Sequence, residues 1–346
     1  MKSSARTAAL FFTLLSLAPA TCGTTPAPQK PTPTPTKEEG GDEVVRVETA
    51  LVTVPVSVLD HRGRYVPDLR AEDFRVYEDG VEQRVAHFAP VDKPFTVALL
   101  LDTSDSLRFR LEDVQEAALA FVDQLRPGDR VMALTFDSQI NILSEPTADH
   151  DAVRRAIRRA RTSGGTRLYD TLDFVLRRRL GGARTGRKAV VLFTDGVDTG
   201  SIQATLRSNV ELAEESEVLV YPVEYSPQPD AGGQLRAGIN APPSSSGTPL
   251  IVTGSAADAN TRSRADAYLR ELAAKTGARL FRAETQASLR GAFARVAEEL
   301  RAQYSIGYYP ATAPRPGERR RIKVRVGRAG LAVRARPGYL AAPPSP

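Results

Sequence analysis

Two apolar runs constrain this chain more than any other feature. Phe95–Leu101 reads F-T-V-A-L-L-L and Ala189–Phe193 reads A-V-V-L-F. A strand with one wet face alternates polar and apolar residues. A run without alternation needs cover on both faces, the condition of a parallel sheet between helix layers. Helical spacing lies between such runs. Within 111–125, Val114, Ala117, Ala118, Phe121, Val122 and Leu125 fall on one stripe, which Pro127-Gly128 ends. Arg130–Phe136 is again strand-like, and 151–161 and 168–180 are helical. Helices over 203–216, 262–276 and 286–302 then alternate with strands over 218–223 and 278–282. This repetition predicts an α/β domain over residues 94–302, with a doubly wound, mostly parallel sheet.

The flanks read differently. Val44–Leu59 alternates and places Val52, Val54, Val56 and Val58 on one face. Asp79-Gly80, between two short β-prone runs, is a hairpin signal. Residues 44–93 are therefore predicted to be all-β. After the last helix, Tyr304–Tyr309, Arg321–Val326 and Leu331–Ala335 are strand-like again. Residues 303–340 are expected to complete the same small β-sandwich-like domain, so that the α/β domain is inserted between its two halves. Residues 226–263, rich in Pro, Gly, Ser and Ala, are predicted to be a flexible insertion, and 341–346 a tail.

The chain opens with a basic segment containing Lys2 and Arg6, an apolar stretch from Thr7 to Leu17, and Ala18-Pro19-Ala20. Residues 1–20 thus read as a secretory signal peptide, which predicts a periplasmic or extracellular location. Residues 21–43 form a Pro/Thr-rich linker, extended because proline at this density permits neither helix nor sheet. Cys22 is the only cysteine, so an intrachain disulfide is excluded. Lipidation of Cys22, tethering the protein to a membrane, is the alternative to cleavage after Ala20. Net charge is +6. The excess is concentrated in 151–188, with twelve Lys or Arg against three Asp, and in 314–336, with nine against one Glu. Such patches suit nucleic acid, acidic polysaccharide or anionic lipid, or are simply solvated. Export argues against nucleic acid, and Tyr304, Tyr308 and Tyr309 read as sheet residues rather than a base-stacking platform.

Chemistry-bearing residues gather at predicted strand ends, where open parallel sheets bind ligands. The first buried strand ends in Asp102-Thr103-Ser104-Asp105-Ser106, a D-x-S-x-S motif. A later one ends in Thr194-Asp195-Gly196. Between them, Ser163-Gly164-Gly165-Thr166 leads into a helix. The groups offered are carboxylates and hydroxyls, without His or Cys. All-oxygen donors select hard cations, chiefly Mg²⁺ or Mn²⁺.

In this order the motifs resemble the metal-ion-dependent adhesion site of von Willebrand factor type A domains. The resemblance implies that Ser104, Ser106 and Thr166 bind the metal directly, and that Asp102 and Asp195 act directly or through water. The flanking text resembles exported bacterial proteins carrying a related domain: Leu69-x-x-x-Asp73-Phe74-x-Val76-x-Glu78-Asp79-Gly80, Gln303-Tyr304-x-x-Gly307-Tyr308-Tyr309-Pro310 and Arg336-Pro337-Gly338-Tyr339. Asp105 departs from the family, where glycine is frequent, and adds a third carboxylate; Leu107 replaces a frequent methionine. The resemblance implies a non-enzymatic, metal-dependent protein-binding module whose partner offers an exposed Asp or Glu. A hydrolase using the metal or a serine nucleophile is the alternative, weakened by the lack of a nearby histidine and of a G-x-S-x-G elbow. A structural envelope protein with a vestigial metal site is a third reading.

Overall fold

The computed structural model describes residues 51–91, 93–104, 111–181, 186–225 and 256–341, with the backbone alone for 256–258. The signal-peptide and linker assignments, the strand-like residues 44–50, Cys22, Asp105, Ser106 and Leu107, residues 226–255 of the expected insertion and the tail from 342 lie outside the described residues.

The α/β region carries a six-stranded sheet. Its strands are β5 (Phe95–Asp102), β6 (Arg130–Phe136), β7 (Ile140–Thr147), β8 (Arg187–Thr194), β9 (Leu219–Tyr225) and β10 (Phe281–Ala283), in the order β10-β9-β8-β5-β6-β7. All neighbours pair in parallel except β6 and β7. Among the described residues six helices cover it: α1 (Leu111–Val122), α2 (His150–Ile157), α3 (Leu168–Phe174, continued by a π-helical turn over Val175–Leu180), α4 (Leu206–Glu215), α5 (Ala256–Thr276) and α6 (Gln286–Arg301).

β5 explains the double layer. Phe95, Val97, Leu99 and Leu101 belong to one buried core with residues of α1, α2 and α6. Ala98 and Leu100 belong to a second core with residues of α3, α4 and α5. Alternate side chains therefore enter opposite cores, and the run has no polar face because neither side meets water. The starts of α4 and α6 are set locally: Thr205 and Thr285 accept hydrogen bonds from the backbone N–H of Ser208 and Ser288.

The remaining strands are β1 (Val52–Leu59), β2 (Phe74–Glu78), β3 (Val81–Gln83), β4 (Val85–Ala89), β11 (Tyr304–Tyr308), β12 (Arg319–Val326), β13 (Ala332–Ala335) and β14 (Gly338–Leu340). They form two four-stranded sheets, β13-β1-β11-β4 and β14-β12-β2-β3. One core contains Val54, Val56, Val58, Phe74, Val76, Tyr304, Ile306, Tyr308 and Ile322. Asp79 (φ +48°) and Gly80 (φ +90°) turn β2 into β3, as a type I′ hairpin requires. Strands from both ends of the chain interleave, because β11 lies between β1 and β4, and β12 between β14 and β2.

Three features depart from the sequence reading. β7 pairs antiparallel with β6; as an edge strand it has mostly half-buried or exposed residues and no apolar run to betray it. β14 escaped notice because three residues are too few to show a period. Helix α5 begins at Ala256, so residues 256–263 are helical rather than part of an irregular insertion. Their Ala and Arg content suits a helix despite the polar composition.

The two regions meet at the amino end of β5 and the carboxyl end of α6. Arg187, at the start of β8, donates to the carbonyls of Val91, Lys93 and Leu300, clamping both connecting segments. Glu299 of α6 is fully buried there. It accepts from the hydroxyls of Tyr65 (2.9 Å) and Tyr221 (3.0 Å), and pairs with Arg279 (3.4 Å) and with Arg334 of β13. Removing one partner of a buried pair strands the others. Glu299→Ala is therefore expected to lower unfolding free energy by about 3 kcal/mol, measured by urea denaturation, whereas Glu211→Ala, at an exposed surface pair, shifts it by less than about 0.5 kcal/mol.

Candidate metal-binding site

Neighbouring parallel strands whose connections leave to opposite faces open a crevice at their carboxyl ends. β5 and β8 are such a pair. β5 leads toward α1 on one face, and β8 toward α4 on the other. Asp102 ends β5 and Thr194 ends β8. The Leu101–Phe193 register sets their side chains beside one another, and the Thr194 hydroxyl donates to Asp102 Oδ2 at 2.7 Å. Asp102 Oδ1 accepts from the Ser104 N–H at 3.0 Å.

Asp102 is 1% exposed. Burial, and then the nearby charge of Asp195, push its carboxyl up to about 7, against the hydrogen bonds from Thr194 and Ser104. A buried and a half-buried carboxylate thus converge at the crevice. Ser104 is buried beside Asp102, Thr166 is buried on the loop before α3, and half-buried Asp195 accepts from the Val197 N–H at 3.0 Å. This donor set, two carboxylates with neutral hydroxyls, fits a hard divalent cation that would neutralise the pair. Among the described residues no group of three or more His, Cys, Asp or Glu is disposed to hold a metal.

Of the five residues singled out from the sequence, Asp102, Ser104 and Asp195 come together. Thr166 lies on a loop tied to the end of β5, because the Ser163 N–H donates to the Thr103 carbonyl at 3.2 Å. Ser106 lies outside the described residues. Two glycines have steric reasons. Gly165 (φ +81°) adopts the left-handed backbone conformation, which a residue with a side chain takes only under strain. Gly196 (φ +80°) packs so closely on α5 that a Cβ would stand 2.9 Å from Leu269.

The sequence reading missed the residues that hold these loops. Asp170, near the start of α3, accepts from the N–H groups of Ile202, Gln203 and Ala204 and from Arg167. Asp198 accepts from Ser201 and from the Tyr169 N–H. The Thr166 carbonyl accepts from the N–H groups of Thr199 and Gly200, and its own N–H donates to the Thr199 hydroxyl. Asp137 bridges the third side, accepting from Thr103 and the Gln139 N–H. The loop after β8 is therefore latched onto the Thr166 loop. Only the repeated Asp in D-G-V-D-T hinted at it.

The three N–H donors and Arg167 outweigh burial and hold the Asp170 carboxyl below its ordinary value. The latch is complete above the ordinary carboxylate range and is lost as pH falls through the lowered folded value. Asp170→Ala is expected to speed amide hydrogen exchange at residues 202–204 while the amides of β5 stay protected; unchanged exchange at 202–204 would refute the latch.

The family model described as von Willebrand factor type A domain matches residues 97–197. An uncharacterised protein of Synechocystis is 31% identical over 106 residues, 30% of this chain and 25% of that one. The chain spans between a quarter and about a third of the length of the first curated relatives it matches. Among solved structures, a von Willebrand factor type A protein of Catenulispora acidiphila superposes with a TM-score of 0.47 at 11% identity, covering 86% of this chain and 75% of that one. Proximal thread matrix protein 1 of the mussel byssus, solved with a zinc-occupied metal-ion-dependent adhesion motif, gives a TM-score of 0.47 at 14% identity, covering 65% and 50%. Residues 97–197, which run from β5 through the turn after β8, are thus similar to von Willebrand factor type A domains.

Proposed function

We propose that this is an exported binding protein that holds a divalent cation, Mg²⁺ or Mn²⁺, with Asp102, Ser104, Ser106, Thr166 and Asp195. The bound cation would offer a coordination position to an exposed Asp or Glu of a protein or cell-envelope partner. The observation that carries the reading is the buried Asp102 carboxyl, pressed by Asp195 and surrounded by hydroxyls, at the mouth of the β5–β8 crevice.

The placement of the β-sandwich supports a binding role. It grips the amino end of β5 and the end of α6, so the crevice opens at the far end of a strand about 26 Å long. A catalytic reading finds no support in the histidines. His61 and His87 belong to the sandwich sequence, and His150 Nε2 contacts the Asp129 carbonyl at 2.9 Å, before the start of β6. No imidazole accompanies the serine hydroxyl of Ser104 as a base. No helix among the described residues is long and apolar enough to cross a membrane; a lipidated Cys22 would supply a tether, with the Pro/Thr-rich linker as spacer.

The test is thermal unfolding of the full chain in EDTA, Mg²⁺, Mn²⁺ or Ca²⁺, wild type beside Asp102→Asn. A cation that binds only the folded state at a hundredfold excess over its Kd stabilises it by about 2.7 kcal/mol. Wild type is expected to gain a Mg²⁺- or Mn²⁺-dependent rise in Tm. Asp102→Asn keeps its circular dichroism and shows no rise. Equal midpoints for wild type in EDTA and in millimolar cation would overturn the reading.

A further inference from the structure

The 314–336 basic segment is not used by the metal site, and β12 gives it a defined geometry. Its burial alternates so that Arg319, Arg321, Lys323 and Arg325 all face outward, while Ile322 enters the sandwich core. Alternate residues on one strand face stand roughly 7 Å apart. Arg319 is consumed by a bidentate pair with the buried Glu214 of α4, at 2.8 Å for both nitrogens. The other three line a groove of about 560 Å³ with Tyr77, Asp79, Gly80, Ile322 and Pro337.

The neighbouring charges are already arranged. Asp79 accepts from the Arg321 N–H at 3.0 Å and from Arg320, and lies 3.7 Å from the Arg321 guanidinium. Glu82, opposite Tyr77 on β3, pairs with Arg75 at 3.0 Å. Arg325 lies over the Tyr77 ring, 5.4 Å from its centroid, which holds the guanidinium against the sheet with its donors still outward. Among the described residues no carboxylate stands within ion-pair distance of Lys323 or Arg325.

We propose that this groove binds an acidic polysaccharide, seated along β12 by Arg321, Lys323 and Arg325. A row of cations at regular spacing suits a linear chain with repeated carboxylates or phosphates. The concavity between the Asp79-Gly80 turn and Pro337 admits such a chain, whereas a planar bilayer touches only its rim. Nucleic acid is disfavoured because the one aromatic side chain of the groove gives its ring to Arg325 and offers no platform for bases.

Affinity electrophoresis of the full chain through gels containing polygalacturonate tests this, with neutral dextran gels as reference. Wild type is expected to be retarded by polygalacturonate alone, and retardation should fall as salt rises. The exposed double substitution Lys323→Glu, Arg325→Glu should raise the apparent Kd at least about tenfold with unchanged circular dichroism, while Asp102→Asn binds as wild type. Equal retardation of the double variant and wild type would overturn the proposal. Tighter binding to polyglutamate would replace the glycan by an acidic polypeptide. Sedimentation with phosphatidylglycerol vesicles without retardation by polygalacturonate would replace it by a lipid surface.

Discussion

The hydrogen bond from Thr194 to Asp102 joins the last residues of two parallel strands whose chains then part to opposite faces of the sheet. Everything around the crevice follows from keeping a carboxylate at that point. β5 has no polar face until its final residue, so Asp102 arrives in a place where water is scarce and the charged form is disfavoured. The fold answers with donors from Thr194 and Ser104, yet places Asp195 close enough to raise the cost again. A group needed only for stability would not be set beside a second carboxylate. On the proposed reading, a cation would neutralise the pair.

Such a site needs loops that do not drift, since its donors come from three separate connections. The latch around Asp170 and Asp198 supplies this by satisfying backbone N–H groups that a loop of this shape would otherwise lend to water. At the opposite end of the sheet, a second set of buried charges plays a comparable part. Glu299 is met by two tyrosines and two arginines drawn from the sandwich and the α/β domain alike. Glu214 receives Arg319 and Lys275. Arg336, with its guanidinium disfavoured by burial, donates to the Ser216 carbonyl and packs over Tyr339. Buried ionic groups are costly to assemble, but they tolerate few alternative orientations. Two chain crossings secured in this way do not behave as a hinge.

Much of this was legible in the sequence for definite physical reasons. The runs at 95–101 and 189–193 announce strands covered on both faces, and the alternation of Val52 to Val58 announces a sandwich strand, because burial imposes those periods. The positions of Asp102, Ser104 and Asp195 at strand ends were legible because their motifs sit directly after such runs. β7 was not, since an edge strand has no buried period to display. Asp170 was invisible for another reason. Its partners are backbone N–H groups more than thirty residues away, and backbone groups leave no trace in composition. Glu299 likewise reads as one more charge on an amphipathic helix until the strands that surround it are in place.

The carboxylate crevice and the cationic row of β12 lie toward opposite ends of this frame. The carboxylate crevice opens at the carboxyl end of β5, while the cationic row of β12 belongs to the sandwich that holds the amino end. β5 alone spans about 26 Å, several times the roughly 8 Å screening length at physiological ionic strength. Their fields therefore do not cancel or assist one another, and an anionic chain drawn to one has no electrostatic reason to occupy the other. Any influence between the faces has to pass through the packing at Arg187, Glu299 and Glu214. That packing is built from groups with few alternative partners, so it fixes the relative position of the two surfaces rather than carrying a signal between them.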